Sequence, residues 1–131
     1  MNDKDFFWSD QCEPHKLRTK ELIQKHPEIR KLIGRNPYTF LIILFCVALQ
    51  TTLAWLLKDA SWWLVFVVAY FVGAFADHTL FVCVHESTHN LVFKKRSLNT
   101  FAGLIANLPL VFASSASFKK YHLKHHAFQG I

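Results

Sequence analysis

Charge is scarce where a soluble protein would carry it. Between Tyr38 and Phe93 the only acidic or basic residues besides histidine are Lys58, Asp59, Asp77 and Glu86. The 131-residue chain has no internal repeat, no low-complexity tract and no glycine-rich loop able to cradle a phosphate. Its three cysteines, Cys12, Cys46 and Cys83, are an odd number, and two lie inside apolar runs. That argues against a disulfide framework and for small buried side chains on a reducing side. No cleavable signal pattern opens the sequence, since the first apolar run starts near Tyr38 behind a mixed-charge stretch. Asn2 follows Met1, which excludes N-myristoylation.

What is present is apolar and aromatic, 52% and 15% of residues, normal for a membrane protein. The net charge of +6 comes from basic residues that flank uncharged runs. It therefore reads as a topology signal rather than a nucleic-acid surface, and no nucleic acid is expected as a partner. One domain at most fits this length.

Residues 1–37 form a polar leader. Pro14 is placed to open a helix carrying Leu17, Leu22 and Ile23, and Pro27 a second with Ile29, Leu32 and Ile33, closed at Gly34. Tyr38 to Leu57 is free of charge and covers roughly 30 Å as a helix, the thickness of a hydrocarbon core. A turn at Lys58 to Ser61 precedes Trp62 and Trp63, which have the character of interfacial anchors. A second span over 62–84 follows, long enough to bring His85 to or beyond the interface. Eight Lys and Arg residues precede Tyr38, Lys58 lies in the turn, and six follow Phe93. The positive-inside rule then makes both ends cytosolic and the pair of spans a transmembrane hairpin. The uncharged stretch 98–118 contains Asn99, Asn107 and Pro109. If it crossed, the histidines on either side of it would lie on opposite faces. It is therefore expected to be re-entrant or interfacial and broken at Pro109. The fold class expected is all-α and integral to the membrane, with residues 38–131 as one partial domain.

Five of the eight histidines fall in two groups. In His85-Glu86-Ser87-Thr88-His89 the imidazoles are at i and i+4, on one face of a helix. In His122-Leu123-Lys124-His125-His126 they are at i, i+3 and i+4. Both spacings suit a metal. The first also fits the zinc-protease pattern, with Glu86 as base, so an intramembrane zinc hydrolase is one reading. Abundant imidazole with few carboxylates also suits iron in a redox role. His78 precedes His85 by seven residues, within about 20° of the same helical face. An ionisable group at membrane depth makes it a candidate ligand or ligand support. The basic groups Lys94-Lys95-Arg96 and Lys119-Lys120 are placed for headgroup contacts or for an acidic partner.

The two boxes, about 30 residues apart behind a hydrophobic pair of spans, resemble those of membrane fatty-acyl and sphingolipid desaturases. The likeness sharpens to the sphingolipid Δ4-desaturase (dihydroceramide desaturase) branch. It rests on Asp5-Phe6-Phe7-Trp8-Ser9-Asp10 with Pro14-His15, on Lys25-His26-Pro27-Glu28-Ile29, and on Asp77-His78 before the first box. Ala106-Asn107-Leu108-Pro109 and Ser117-Phe118-Lys119-Lys120-Tyr121 before the second box complete it. The resemblance implies a di-iron centre held by the box histidines, here His85, His89, His122, His125 and His126. It implies O2 and cytochrome b5 as oxidant and electron donor, and a dihydroceramide-like lipid as substrate. The place it implies is the endoplasmic reticulum membrane, with the boxes cytosolic. A fatty-acyl desaturase, a sphingolipid C4-hydroxylase and a non-catalytic truncated membrane protein are the remaining alternatives. The leader lacks the family's usual Tyr-Thr after Trp8. The resemblance implies a third histidine box far downstream that is not among these 131 residues, so their ligand set is incomplete and they are expected to be inactive alone.

Overall fold

The computed structural model describes residues 14–128, and among them every regular element is helical. They divide into two compact units, one ending at Gly34 and the other starting at Arg35.

In the first unit helix α1 spans Pro14–Lys25, and a 3-10 helix spans Pro27–Leu32. Proline suits both starts because its missing N–H has no partner in a first turn. The second piece is a 3-10 helix rather than the α-helix the sequence suggested. It is only 6 residues long, with nothing buried to stabilise further turns. Ile23 and Ile29 are half-buried. The leader residues before Pro14, including the Trp8 region and Cys12, lie outside the described residues.

In the second unit α2 spans Tyr38–Leu56. A turn leads to α3 (Trp62–Val68), a π-helical turn (Ala69–Gly73) and α4 (Ala74–Thr88). These last three form one continuous apolar helix, Trp62–Thr88, of 27 residues. It and α2 are both long and apolar enough to cross a membrane. They pack antiparallel. The Asn36 N–H donates to the Leu91 carbonyl at 2.7 Å, and Gln50 Nε2 donates to Asp77 Oδ1 at 2.9 Å. Partners 14 residues apart on one strand of the pair thus meet partners 14 apart, in reverse, on the other. Asp77, polar within an apolar helix, is satisfied by Gln50 rather than by His78.

The stretch 98–118 is not a single segment. Helix α5 (Arg96–Ala106) occupies its first half, residues 107–114 are irregular around Pro109, and α6 (Ser115–Phe128) begins in its last residues. At 11 residues, or about 16 Å, α5 is half of what a crossing needs. Its small residues Ala102 and Ala106 are fully buried and join Ile43 and Cys46 of α2 and Leu80, Cys83 and Val84 of α4 in one core. Small side chains allow such close approach of helix backbones.

Candidate metal centre

The first histidine box occupies the last turn of α4. His89 is its C-cap, and the next residue, Asn90, has φ 59°. Asn90 N–H donates to the Ser87 carbonyl and Leu91 N–H to the Glu86 carbonyl, each at 3.1 Å. This is the Schellman arrangement, and asparagine is the non-glycine residue best suited to its left-handed position. The helix therefore stops at the second ligand candidate, and the chain turns at the residue after it. The Arg35 Nε donates to the Asn90 carbonyl at 3.3 Å, which ties this turn to the start of α2.

Two buried asparagines then place α6. Asn99 is fully buried. Its Oδ1 accepts from the N–H groups of Val92 and Phe93 at 3.1 and 3.0 Å. Its Nδ2 donates to the carbonyls of Phe93 and Lys95 at 2.7 and 2.9 Å. All four hydrogen bonds available to the amide are made, and the loop after the first box is fixed by one side chain. Asn107 closes the 107–114 segment. Its Nδ2 donates to the Phe112 carbonyl at 2.8 Å, and its Oδ1 accepts from the Ser115 N–H at 2.7 Å, capping α6. At Gly103 a Cβ would stand 2.9 Å from Ser115 Oγ, so glycine lets α6 start against α5.

The consequence is a cluster. One ring nitrogen from each of His85, His89, His122 and His126 lies within 4.8 Å of the others. His122 Nε2 is 3.0 Å from His89 Nε2 and 3.0 Å from His126 Nε2. A neutral imidazole nitrogen can donate or accept but cannot satisfy both neighbours with one proton. Nitrogens that share an ion at about 2.1 Å and near a right angle stand about 3 Å apart. The donor set of four imidazoles fits a metal ion such as zinc or iron.

Charge supports the neutral form. Burial, then the nearby His85 and His126, lower the His89 pKa from its ordinary value, with Glu86 opposing. His122 is lowered in the same way, by burial first and then by the four neighbouring imidazoles. Both keep a lone pair free at neutral pH, as metal binding requires. Glu86 Oε1 lies 3.3 Å from His85 Nδ1. With that nitrogen engaged, Nε2 is left to face the cluster, the arrangement by which carboxylates orient metal-binding histidines.

Two of the sequence candidates stand apart. His125, at i+3, is exposed, its ring 6.4 Å from that of His122, and the four-histidine group does not include it. His78 is exposed and also outside the group, although it shares the helical face of His85. Asn90, Asn99 and Asn107, which build the site, were not among the sequence candidates. Two of them interrupt an apolar stretch, and a buried amide must find partners, which was the available signal.

A family model described as sphingolipid Δ4-desaturase matches residues 2–38, and one described as fatty acid desaturase matches residues 61–131. A sphingolipid delta(4)-desaturase DES1-like protein of Oryza sativa subsp. japonica is 50% identical over 97% of this chain. The sphingolipid delta(4)-desaturase of Schizosaccharomyces pombe is 46% identical over 96%, and sphingolipid delta(4)-desaturase DES1 of Drosophila melanogaster 41% over 96%. The chain spans 39%, 35% and 40% of those three proteins' lengths. No solved structure matches it.

Proposed function

Because the chain belongs to the fatty acid desaturase family, we propose that it supplies the first two histidine boxes of a membrane sphingolipid Δ4-desaturase. The reaction is removal of two hydrogens from adjacent carbons of a dihydroceramide-like lipid, with O2, two electrons and two protons taken up and two waters formed. The observation that carries this reading is the convergence of four imidazoles from α4 and α6 beside two apolar helices.

In this reading His85, His89, His122 and His126 hold iron. His125, turned outward on the same helix, is available to a second ion whose other ligands come from outside these residues. Bound iron supplies the oxidising power for C–H cleavage. The protein's own part is to hold the imidazoles neutral and inward, to orient His85 through Glu86, and to keep one side of the site apolar. Cytochrome b5 is the proposed electron donor, and the endoplasmic reticulum membrane the proposed location.

The cluster also bears on topology. Residues 90 to 121 leave the first box and return to it, and α5 is too short to cross. That supports α2 and Trp62–Thr88 as a membrane hairpin with both boxes on its cytosolic side and 98–118 at the interface. A glycosylation reporter fused after Ile131 is expected to stay unmodified.

The test is the full-length gene product in desaturase-null cells. Ceramide is expected to form, and His122→Ala is expected to lower it at least 100-fold, with iron lost from the purified protein. A hydroxylated sphingoid product would assign the chain to the C4-hydroxylases instead. Zinc without iron, with no change in sphingolipids, would overturn the desaturase reading.

A further inference from the structure

Each box is preceded, four residues earlier, by a phenylalanine: Phe81 before His85 on α4 and Phe118 before His122 on α6. On a helix, residues four apart lie on the same face. The two phenylalanines meet, with ring centroids 5.3 Å apart at 66°. The Phe118 ring lies flat on the His122 imidazole, centroids 4.7 Å apart and planes 12° apart. It also stands 6.2 Å from the His85 ring. One phenyl group thus touches a histidine of each box and the aromatic ring beneath the other box.

The torsion that sets an imidazole's plane is broad and only weakly restrained by the side chain itself. His122 is the histidine for which that plane matters most, because its Nε2 faces both His89 and His126 at 3.0 Å. Rotating the ring would carry Nε2 away from both. A phenyl face lying nearly parallel resists that rotation, and the edge of Phe81 holds the phenyl face in place.

We propose that Phe118, backed by Phe81, is a positioning residue that fixes the plane of the His122 imidazole and so the geometry of the metal site. The pair also forms an apolar floor that keeps water from one side of the cluster, a property that tunes metal sites. This inference rests on the metal-centre reading above.

The experiment uses the full-length protein in lipid nanodiscs, stripped of metal and titrated with Co(II) alone, with the visible ligand-field spectrum recorded. Phe118→Leu keeps an apolar side chain but loses the ring. It is expected to weaken cobalt binding about tenfold, the lower end of what supports of metal ligands contribute, and to change the spectrum. Phe118→Tyr keeps the ring and is expected to retain affinity within about twofold and the parent spectrum. An unchanged Phe118→Leu, or a Phe118→Tyr as damaged as Phe118→Leu, overturns the proposal and leaves the metal centre standing. A parent protein whose cobalt binding is absent, or is unaffected by His122→Ala, overturns both. Should Phe118→Leu fail to fold, Phe81→Leu decides: it leaves the stacked pair intact but unsupported, and an unaltered spectrum refutes the floor.

Discussion

The long helix Trp62–Thr88 has two halves that differ in what surrounds them. From Trp62 to Gly73 it has no buried residue, and Trp63, Tyr70 and Phe71 are 82%, 71% and 65% exposed. From Ala76 to Thr88 six residues are buried, Leu80 fully. The π-helical turn Ala69–Gly73 lies between the halves. Apolar content is high on both sides of it, so hydrophobicity does not distinguish them. The first half presents large aromatic side chains outward, as a helix in lipid can do at no cost. The second half buries small and branched side chains against α2 and α5 and ends in polar groups, of which Thr88 Oγ1 donates to the Val84 carbonyl while Ser87 Oγ is buried without a partner. Lipid tolerates many apolar residues at a position, whereas a packed junction tolerates few.

If that contrast holds, damage should concentrate at the junction. The largest effect is expected at Asn99. Asn99→Ala leaves the N–H groups of Val92 and Phe93 and the Phe93 carbonyl without side-chain partners around a fully buried position, while the Lys95 carbonyl keeps the residue 99 backbone N–H. Each unpaired buried group costs about 1–3 kcal/mol, so a total of about 3–5 kcal/mol is expected after relaxation. Detergent-denaturation curves of the full-length protein would measure it. A loss under about 1 kcal/mol would mean that the loop is not held by this side chain.

A middle-sized effect is expected at Gly103. The added methyl group of Gly103→Ala would meet Ser115 Oγ at 2.9 Å and Ser87 Cβ at 3.6 Å. Overpacking of this kind costs about 1–3 kcal/mol. Its cause can be isolated, because Ser115→Ala removes the hydroxyl that is struck while keeping the α6 start. The double variant is expected to recover most of the loss in the same assay. If it recovers none, the strain lies at Ser87 or in the backbone instead.

The sequence made one of these halves easier to read than the other. Two apolar runs of bilayer length, the second interrupted only by Asp77 and His78 before the first box, announce the helices. The i, i+4 spacing announces the ligand faces, because helical geometry allows few alternatives. The junction was harder to see. Asn99 and Asn107 look like flaws in an apolar segment until their partners are known, and those partners are backbone groups, which leave no mark in a sequence. The π-helical turn spans Ala-Tyr-Phe-Val-Gly, residues that fit an α-helix equally well. His125 shares its box with His122 and His126, and spacing alone put all three on one face. The structure turns it aside, since i+3 and i+4 fall on opposite sides of i by about 60° and 40°.

The smallest effect is expected at an outward-facing position of the second half, and it is the sharpest test of the comparison because it forbids something. Phe75 opens the second half of the helix yet is 70% exposed, one turn from Leu80, which is fully buried. In water Phe75→Leu would remove an exposed aromatic ring and improve solubility. In lipid it exchanges one apolar surface for another. Stability in nanodiscs is therefore expected to change by less than about 0.5 kcal/mol, while Leu80→Ala on the same helix loses about 2–5 kcal/mol. Comparable losses at the two positions would mean that Phe75 is covered by protein in the full-length molecule. The border between the lipid-facing and packed halves would then lie closer to the π-helical turn than Ala76.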